Sequence, residues 1–281
     1  MTDQRKIVFV GPGVMAEAMV GGLIQRAGVS PAEIVLCGPR RERLQELQDR
    51  HGVQVDPVSK SAAAGAGTIV ISVKPQSLDE VMRGLRGAVP ENALVLSIVA
   101  GARLIDLTRG LSHTAVVRSM PNTPAQVGEG ITVWTATPET TPAQRESARS
   151  ILGSCGQELF VENEDYLDMA TALSGTGPAY VFLFMEAMVD AGVHLGFPRR
   201  IAEALVVQTV RGSVAFYESS PMHLARLRNQ VTSPGGTSAA ALYYLEKAGF
   251  RTALSRAIWA AYERSIQLGQ GRKRGSIDEA T

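Results

Sequence analysis

Hydrophobic residues in the first half of the chain form short runs, and longer helix-compatible stretches separate them. The runs consist mostly of Val, Ile and Leu, without the alternation of polar and apolar residues that a half-exposed strand shows. Such runs are typical of strands buried on both faces of a parallel sheet. Strands are predicted at residues 6–10, 33–37, 68–73, 93–99 and 114–120, with helices at residues 15–27, 40–51 and 77–87.

The strand pattern continues to about residue 162 and then stops. Two further strands, at residues 131–136 and 157–161, flank a helix at residues 142–152. Beyond them only helical periodicity remains, over residues 166–173, 178–195, 199–218, 222–230, 236–248 and 253–268. The sequence therefore predicts an α/β protein, with an N-terminal doubly wound domain over residues 1–162 and an all-helical C-terminal domain over residues 163–281.

Two of the predicted C-terminal helices are apolar on nearly every side. The segment AYVFLFMEAMVDAGVHL, residues 179–195, shows this most clearly. Helices of this kind are normally buried, and a small helical domain buries surface less efficiently than a larger one. A self-sufficient bundle is one interpretation. We favour the other, a homodimer formed through this region.

Composition and charge narrow the function classes. The 281 residues are 45% hydrophobic and 20% charged, with a formal net charge of +1. Such a balance is typical of a soluble globular protein and gives no field that would gather nucleic acid or an anionic membrane. The apolar runs are short and interrupted, and no signal-peptide pattern precedes the first strand, so we expect no membrane span. With only Cys37 and Cys155, we expect a cytoplasmic protein without a disulfide framework or metal site.

The first loop carries a dinucleotide-binding pattern. GPGVMA places Gly11, Gly13 and Ala16 directly after the first strand and at the start of a helix. Gly11 permits a tight turn, Gly13 lets the backbone approach a pyrophosphate, and Ala16 allows close packing of helix and strand. The helix N-terminus adds amide donors for the phosphates. This context predicts that the N-terminal domain is a Rossmann domain.

The end of the second strand indicates which dinucleotide binds. NAD-specific domains usually place an acidic residue there for the ribose 2′-hydroxyl. Here the sequence is LCGPRRERL, with Arg40 and Arg41 at the turn and no acid before Glu42. Guanidinium groups suit a 2′-phosphate, so we favour NADPH, with NADH as a weaker cofactor. Two solvated arginines opening a helix would be the simpler interpretation.

The positions of the lysines and histidines indicate which substrates the protein can reduce or oxidise with NADPH. Lys74 and Pro75 follow the strand predicted at residues 68–73, where we expect them to lie beside the nicotinamide end of the cofactor. A lysine with only a structural role is equally compatible with the sequence. No lysine occurs between Lys74 and Lys247, which disfavours oxidation of an alcohol or hydroxyacid, where a base must take a proton. No histidine lies in a glycine-rich or strand-end context; the four are His51, His113, His194 and His223.

An imine substrate makes fewer demands on the site. Once protonated on nitrogen it is already electrophilic, so the protein needs mainly to position it. SPGGTS, residues 233–238, offers amides and hydroxyls at a helix N-terminus that could hold a substrate carboxylate. A glycine turn that only caps the helix is the alternative.

Five motifs occur together in the order and spacing of one enzyme family: GPGVMA, VKPQ, RSMPNTP, LSGTGPAY and VTSPGGTS. The chain resembles pyrroline-5-carboxylate reductase from about Lys6 to about Leu268. The resemblance implies NAD(P)H-dependent reduction of 1-pyrroline-5-carboxylate to L-proline, the last step of proline biosynthesis. It also implies a helical domain that interlocks with its twofold mate, and in some relatives a higher ring such as a decamer.

The resemblance also implies which residues contact the ligands, with Ser238 as the catalytic residue that orients the imine. Cofactor contacts are expected at Gly11, Pro12, Gly13, Val14, Met15, Ala16, Gly38, Arg40, Arg41, Ser59, Ser72, Val73, Lys74, Pro75, Ile98, Val99, Ala100 and Gly101. Substrate contacts are expected at Asn122, Ser174, Gly175, Thr176, Ser233, Gly235, Gly236, Thr237 and Ser238.

Three residues depart from the family's usual pattern and bear on the substrate range. Asn229 stands where relatives commonly have Asp, Ser238 where they commonly have Thr, and Ser59 where some have Asn. Serine keeps the hydroxyl but lacks the methyl group that restricts the threonine rotamer. An imine reductase of the same fold for another cyclic or secondary imine is therefore the alternative enzyme. An NADP(H)-sensing partner protein is the non-enzymatic alternative, but it would not need the glycine and hydroxyl loop.

Overall fold

The computed structural model describes the backbone of residues 3–270 and the side chains of residues 6–270. The chain forms two compact units. The first consists of Met1–Thr176 together with Ala261–Thr281, and the second of Gly177–Ala260. The domain boundary near residue 162 stays a prediction, since the packing of the single chain divides it at other points.

The first unit is built on one sheet of eight strands in the order β3-β2-β1-β4-β5-β6-β7-β8. Neighbouring strands are parallel except for β7, which runs antiparallel to β6. The strands are β1 Asp3–Val10, β2 Ile34–Cys37, β3 Gln54–Asp56, β4 Ala66–Ile71, β5 Leu94–Ser97, β6 Val116–Met120, β7 Gly130–Ala136 and β8 Gly156–Phe160. This mainly parallel sheet confirms the predicted α/β class.

The sheet is covered on both faces, as its uninterrupted apolar strands require. In β1, Phe9 belongs to one core cluster, while Val8 and Val10 belong to the other. Helices pack on these faces and lead into and out of the strands. They are α1 Val14–Gln25, α2 Arg41–His51, α3 Ser59–Ala63, α4 Leu78–Leu85, α5 Leu104–Leu111 and α6 Pro142–Gly153, with short 3₁₀ turns at Pro31–Glu33, Pro75–Ser77 and Thr123–Val127.

After the last strand the chain enters α7, Tyr166–Ala170, and then a π-helix, Thr171–Gly175. A regular helix over residues 166–173 was the expectation, and it is wrong beyond Ala170. The hydrophobic pattern could not predict the π-helix, because one π-helical turn changes the spacing of apolar residues very little relative to an α-helical turn. β4 also ends at Ile71, before the predicted end at residue 73.

The second unit is helical. It contains α8 Gly177–His194, α9 Arg199–Glu218, α10 Leu224–Gln230, α11 Thr237–Lys247 and the first part of α12 Phe250–Gly269. Its buried apolar cluster consists of Val189, Ala202 and Val206. Phe182 and Leu183 of α8 are 63% and 66% exposed. So small a core does not favour the interpretation of this unit as a self-sufficient bundle.

The apolar helical stretch Tyr166–His194 is also long enough to cross a membrane by length and composition, with a mean hydropathy of 1.2. The expectation that the chain has no membrane span therefore stays a prediction. A single such helix is weak evidence for a membrane span, because helices of soluble proteins pass the same test.

Candidate active site

The turn between β1 and α1 is shaped by glycines. Gly11 has a φ of +105°, and a Cβ atom there would lie 2.7 Å from Val73 Cγ1 and 2.8 Å from the Ser72 carbonyl oxygen. Only glycine suits this position, both for its backbone angle and for lack of space. Ala16 is fully buried in the core against the sheet.

Helix α1 begins at Gly13 without a side-chain cap. The first amides of a helix have no partner within it, so the start of α1 presents N–H donors and the positive end of the helix dipole. This arrangement is suited to a pyrophosphate. Ser72 stabilises the turn, since its hydroxyl donates to the Gly11 carbonyl oxygen at 2.8 Å.

Gly38 provides space for the same turn. A Cβ atom on Gly38 would lie 2.5 Å from Pro12 Cδ, so the end of β2 and the glycine turn fit together only without a side chain there. The Gly11 amide also donates to the Cys37 carbonyl oxygen at 2.9 Å. These contacts bring the end of β2, and hence Arg40 and Arg41, beside the dinucleotide turn.

The arginines near this turn fall into two groups. Arg43 and Arg50 both bind the Glu17 carboxylate, and Arg43 also pairs with Glu46 at 2.7 Å. Burial raises the pKa of Glu17, but hydrogen bonds from these arginines outweigh it and lower the pKa below its ordinary value. Arg40 and Arg41 are exposed, and neither has an ion-pair partner within residues 6–270. They are therefore available to an external anion.

The other expected cofactor residues lie at strand ends along the same edge of the sheet. Ser59 opens α3, and its hydroxyl is 3.6 Å from Cys37 Sγ at the end of β2. Val73, exposed Lys74 and Pro75 follow β4. Ile98, Val99, Ala100 and Gly101 follow β5, and the Ile98 amide donates to the Ile71 carbonyl oxygen at 3.0 Å. Carboxyl edges of parallel strands are the usual ligand-binding side of such sheets.

Asn122 joins two of the expected substrate segments within the first unit. Its Nδ2 donates to the Ser174 carbonyl oxygen at 3.2 Å, and its Oδ1 accepts from the Ile131 amide at 2.9 Å. Both ends of the side-chain amide are thus engaged, which fits a residue that shapes a pocket. Gly175 packs closely, since a Cβ atom there would lie 2.7 Å from Met120 Cε. The Thr176 hydroxyl donates to the Thr171 carbonyl oxygen at 2.8 Å.

The hydroxyl and glycine loop lies in the second unit, at the start of α11. Gly235 has a φ of +72°, and the Gly236 amide donates to the Ser233 carbonyl oxygen at 3.1 Å. Gly236 is the N-cap of α11 and supplies no side-chain cap. The turn therefore leaves the first amides of α11, at Thr237 and Ser238, available as donors, and Ser238 is only partly buried.

Comparisons with known proteins cover both units of the chain. A family model described as pyrroline-5-carboxylate reductase dimerisation matches residues 164–268. A second model, described as NADP oxidoreductase coenzyme F420-dependent, matches residues 6–101. A pyrroline-5-carboxylate reductase from Synechocystis sp. is 41% identical over 93% of this chain and 97% of its own length.

The chain belongs to the pyrroline-5-carboxylate reductase family. A pyrroline-5-carboxylate reductase from Escherichia coli is 35% identical, over 95% of this chain and 99% of its own. The solved Plasmodium falciparum pyrroline carboxylate reductase, with NADP bound, has a TM-score of 0.88 at 31% identity, covering 96% of this chain and 99% of its own. The family assignment thus rests on likeness over nearly the whole chain.

One group of buried charged residues in this member of the pyrroline-5-carboxylate reductase family was not predicted from its sequence. Arg118 lies inside β6 and is 2% exposed. Its Nη1 is 3.0 Å from Glu164 Oε1 and its Nη2 is 2.8 Å from Asp168 Oδ1. Arg118 opens the RSMPNTP motif, and a charged residue inside an otherwise apolar strand was the available signal. Its partners lie 46 and 50 residues further along the chain, beyond the reach of local patterns.

Proposed function

We propose that this chain reduces 1-pyrroline-5-carboxylate to L-proline with NADPH, the last step of proline biosynthesis. One observation carries the proposal: α1 and α11 both begin at a glycine N-cap without a side-chain cap. Each start presents backbone donors suited to an anion. The pyrophosphate of the cofactor fits the first, and the carboxylate of the substrate fits the second.

The residues of the first unit fit a dinucleotide with a 2′-phosphate. The glycine turn, beside the uncapped start of α1, would hold the pyrophosphate, and Arg40 and Arg41 are free to bind the 2′-phosphate. Ser59, at the start of α3 and close to Cys37 at the end of β2, would contact the adenine ribose. The loops after β4 and β5 would contact the nicotinamide. When bound, NADPH supplies the hydride that reduces the imine carbon.

On the substrate side, the chain has to bind and orient an ion that is already reactive. Amides at Thr237 and Ser238, at the turn formed by Gly236, would hold the carboxylate, and the Ser238 hydroxyl would bond the ring nitrogen. A protonated imine accepts hydride without further acid, so orientation is the main task of Ser238. Ser174, Gly175, Thr176 and Asn122 would shape the pocket around the ring.

The protein is also proposed to act as a homodimer in the cytoplasm. The exposed apolar faces of α8 and α9 in the single chain support the dimer, since contiguous surfaces of this kind mark interaction sites. The match to a dimerisation model over residues 164–268 supports it as well. Assembly of such dimers into a larger ring is a further step of the same proposal.

The decisive experiment is oxidation of NADPH, followed by its absorbance, on addition of 1-pyrroline-5-carboxylate. The same enzyme is given 1-pyrroline, which lacks the carboxylate, and a six-membered cyclic imine that carries one. We expect the five-membered carboxylate to be reduced best and 1-pyrroline to be the poorest, because it leaves the start of α11 without an anion. A preference for an imine without a carboxylate would contradict the proposal and favour an imine reductase of another substrate class.

Variants of the α11 loop test the roles of its residues. Gly236→Val should abolish substrate binding and spare NADPH binding, since a Cβ atom there would lie 2.4 Å from Ser233 Oγ. Ser238→Ala should lower kcat about ten- to a thousandfold if the hydroxyl bonds more strongly in the transition state, and Ser238→Thr should retain activity. Ser150→Ala, an exposed serine on α6, is the matched control. Full activity of Ser238→Ala would remove Ser238 from the proposed site.

A further inference from the structure

The buried ion cluster around Arg118 joins four separate parts of the first unit. Arg118 of β6 binds Glu164, ahead of α7, and Asp168, inside α7. Asp168 Oδ1 also accepts from the Ser265 hydroxyl of α12 at 2.9 Å. Glu164 Oε1 accepts from the Leu104 amide, at the start of α5, at 2.7 Å. Every charged group of this cluster has a partner.

Such a cluster is not explained by stability alone. Apolar residues of similar volume often stabilise a core as well as a buried ion pair does, because both charges must lose their water. A buried pair differs from apolar packing in its fixed geometry: the two guanidinium nitrogens of Arg118 bind two carboxylates at set positions. The cluster therefore fixes α7 relative to β6.

The segments that the cluster fixes lead directly to the expected substrate residues. Two residues after Arg118, Met120 packs against Gly175, and Asn122 then bonds the Ser174 carbonyl oxygen. Three residues after Asp168, the π-helix Thr171–Gly175 begins. β6 is thus joined to α7, ahead of the π-helix, by Arg118 with Asp168, and the residues after β6 are joined to the π-helix itself by Asn122 with Ser174.

The π-helix needs this support. π-helices are rare, short and frequent at functional sites, because an ordinary α-helix competes with the wider turn. Within this one, hydroxyl groups bond helix carbonyls: Thr171 Oγ1 donates to the Leu167 oxygen at 2.7 Å and Ser174 Oγ to the Ala170 oxygen at 3.0 Å. These local bonds satisfy backbone groups but do not determine where the turn lies against the sheet.

We propose that Asp168, held by Arg118 and Ser265, is a positioning residue that keeps the π-helical turn Thr171–Gly175 in the conformation that receives the substrate. The inference rests on the proposed function, in which Ser174, Gly175 and Thr176 line the substrate pocket. Asp168 acts through the turn that follows it and touches neither reactant.

The test is Asp168→Asn, which keeps the size of the side chain and an acceptor for Ser265 but removes the charge that faces Arg118. If the turn then occupies its competent conformation for only a tenth of the time, the KM for 1-pyrroline-5-carboxylate rises about tenfold. Saturating substrate restores the competent state, so kcat should change less than about twofold. The Kd of NADPH, from a fluorescence titration, should not change. A merely structural role would lower the melting temperature and the amount of active enzyme but leave the KM unchanged.

Asp165→Asn is the matched control. Asp165 lies three residues before Asp168, is exposed, and pairs with Arg103 at 2.9 Å on the surface. The Asp165→Asn change should leave the KM, the kcat and the Kd of NADPH unchanged. Ser265→Ala removes one hydrogen bond from Asp168 without stripping Arg118 of a partner. Ser265→Ala should also raise the KM, by a smaller factor. It provides the test if Asp168→Asn fails to fold.

Hydrogen exchange of the free protein gives a readout that does not depend on activity. The Thr176 amide, which donates to the Thr171 carbonyl oxygen at 2.8 Å, should exchange at least tenfold faster in Asp168→Asn and at the normal rate in Asp165→Asn. Normal exchange together with a normal KM would overturn the inference. Absence of activity in the unmodified protein would instead overturn the proposed function, while the exchange data would still decide whether Asp168 positions the turn.

Discussion

Removal of the two exposed arginines after β2 tests how the protein chooses its cofactor. The variant is Arg40→Ala with Arg41→Ala. Neither side chain has an ion-pair partner among residues 6–270, so the double change should leave the stability of the protein nearly unaffected. Whatever affinity is lost then reports on contacts with the cofactor alone.

The size of the loss follows from the exposure of the two side chains. A hydrogen bond to a charged group contributes about 1.5–3 kcal/mol, and solvent around exposed groups favours the lower end. Two such contacts amount to about 3 kcal/mol, which is about a hundredfold in Kd at roughly 1.4 kcal/mol for each factor of ten. The Kd of NADH should change less than about threefold, since its ribose carries no phosphate for either arginine.

The assay is a fluorescence titration of each variant with NADPH and with NADH at fixed ionic strength. Arg83→Ala with Arg86→Ala is the control, because it removes the same charge from two exposed positions, one on α4 and one directly after it. Rising salt should weaken NADPH binding to the unmodified protein and should have little effect on the Arg40 and Arg41 variant. Equal losses for NADPH and NADH, or a native preference for NADH, would refute the assignment.

Two further predictions concern the helical unit and a buried thiol. Leu183→Asp should prevent the proposed dimer, since Leu183 is 66% exposed in the single chain and an unpaired charge buried in an interface costs several kcal/mol. Sedimentation of this variant should find monomer or aggregate, and Leu159→Asp on β8 is the control. A monomer of the unmodified protein at micromolar concentration would refute the dimer. Burial raises the pKa of the Cys37 thiol from 9.0 to about 11, so the free energy of unfolding should fall as the pH rises through that interval. Denaturant unfolding from pH 8 to 11 measures this fall. Burial also raises the pKa of the Cys155 thiol, so Cys37→Ala should reduce the fall without abolishing it, and an equal fall in that variant would contradict the cause.

The sheet could be predicted from the sequence because its strands are buried on both faces. β1, β2, β4, β5 and β6 are apolar runs, and the glycine turn marks the first crossover. β3 escaped prediction because it is a three-residue edge strand whose first residue is exposed. The five-residue helix α3 carries too few turns for its periodicity to stand out.

The candidate site could be predicted only where the chemistry is local. The glycine turn, the two arginines and the α11 loop are contiguous motifs whose residue types reveal their geometry. The ion cluster is different, since Ser265 lies 97 residues from the carboxylate that it binds. The π-helix also depends on packing against Met120 and Asn122, which no pattern within residues 171–175 contains.

The course of α12 has a consequence for synthesis of the protein on the ribosome. The helix begins in the second unit, and from Ala261 onward it belongs to the first unit, where Ser265 bonds Asp168 and Gly269 packs against Gly101. Residues 177–260 are thus an insertion within the first unit. The dinucleotide-binding part is made first, but its segment from α12 is made only after the whole of residues 177–260. Nascent chains that end before Ser265 lack one partner of Asp168 and the packing against Gly101, so the first unit should be complete only after α12 has left the ribosome.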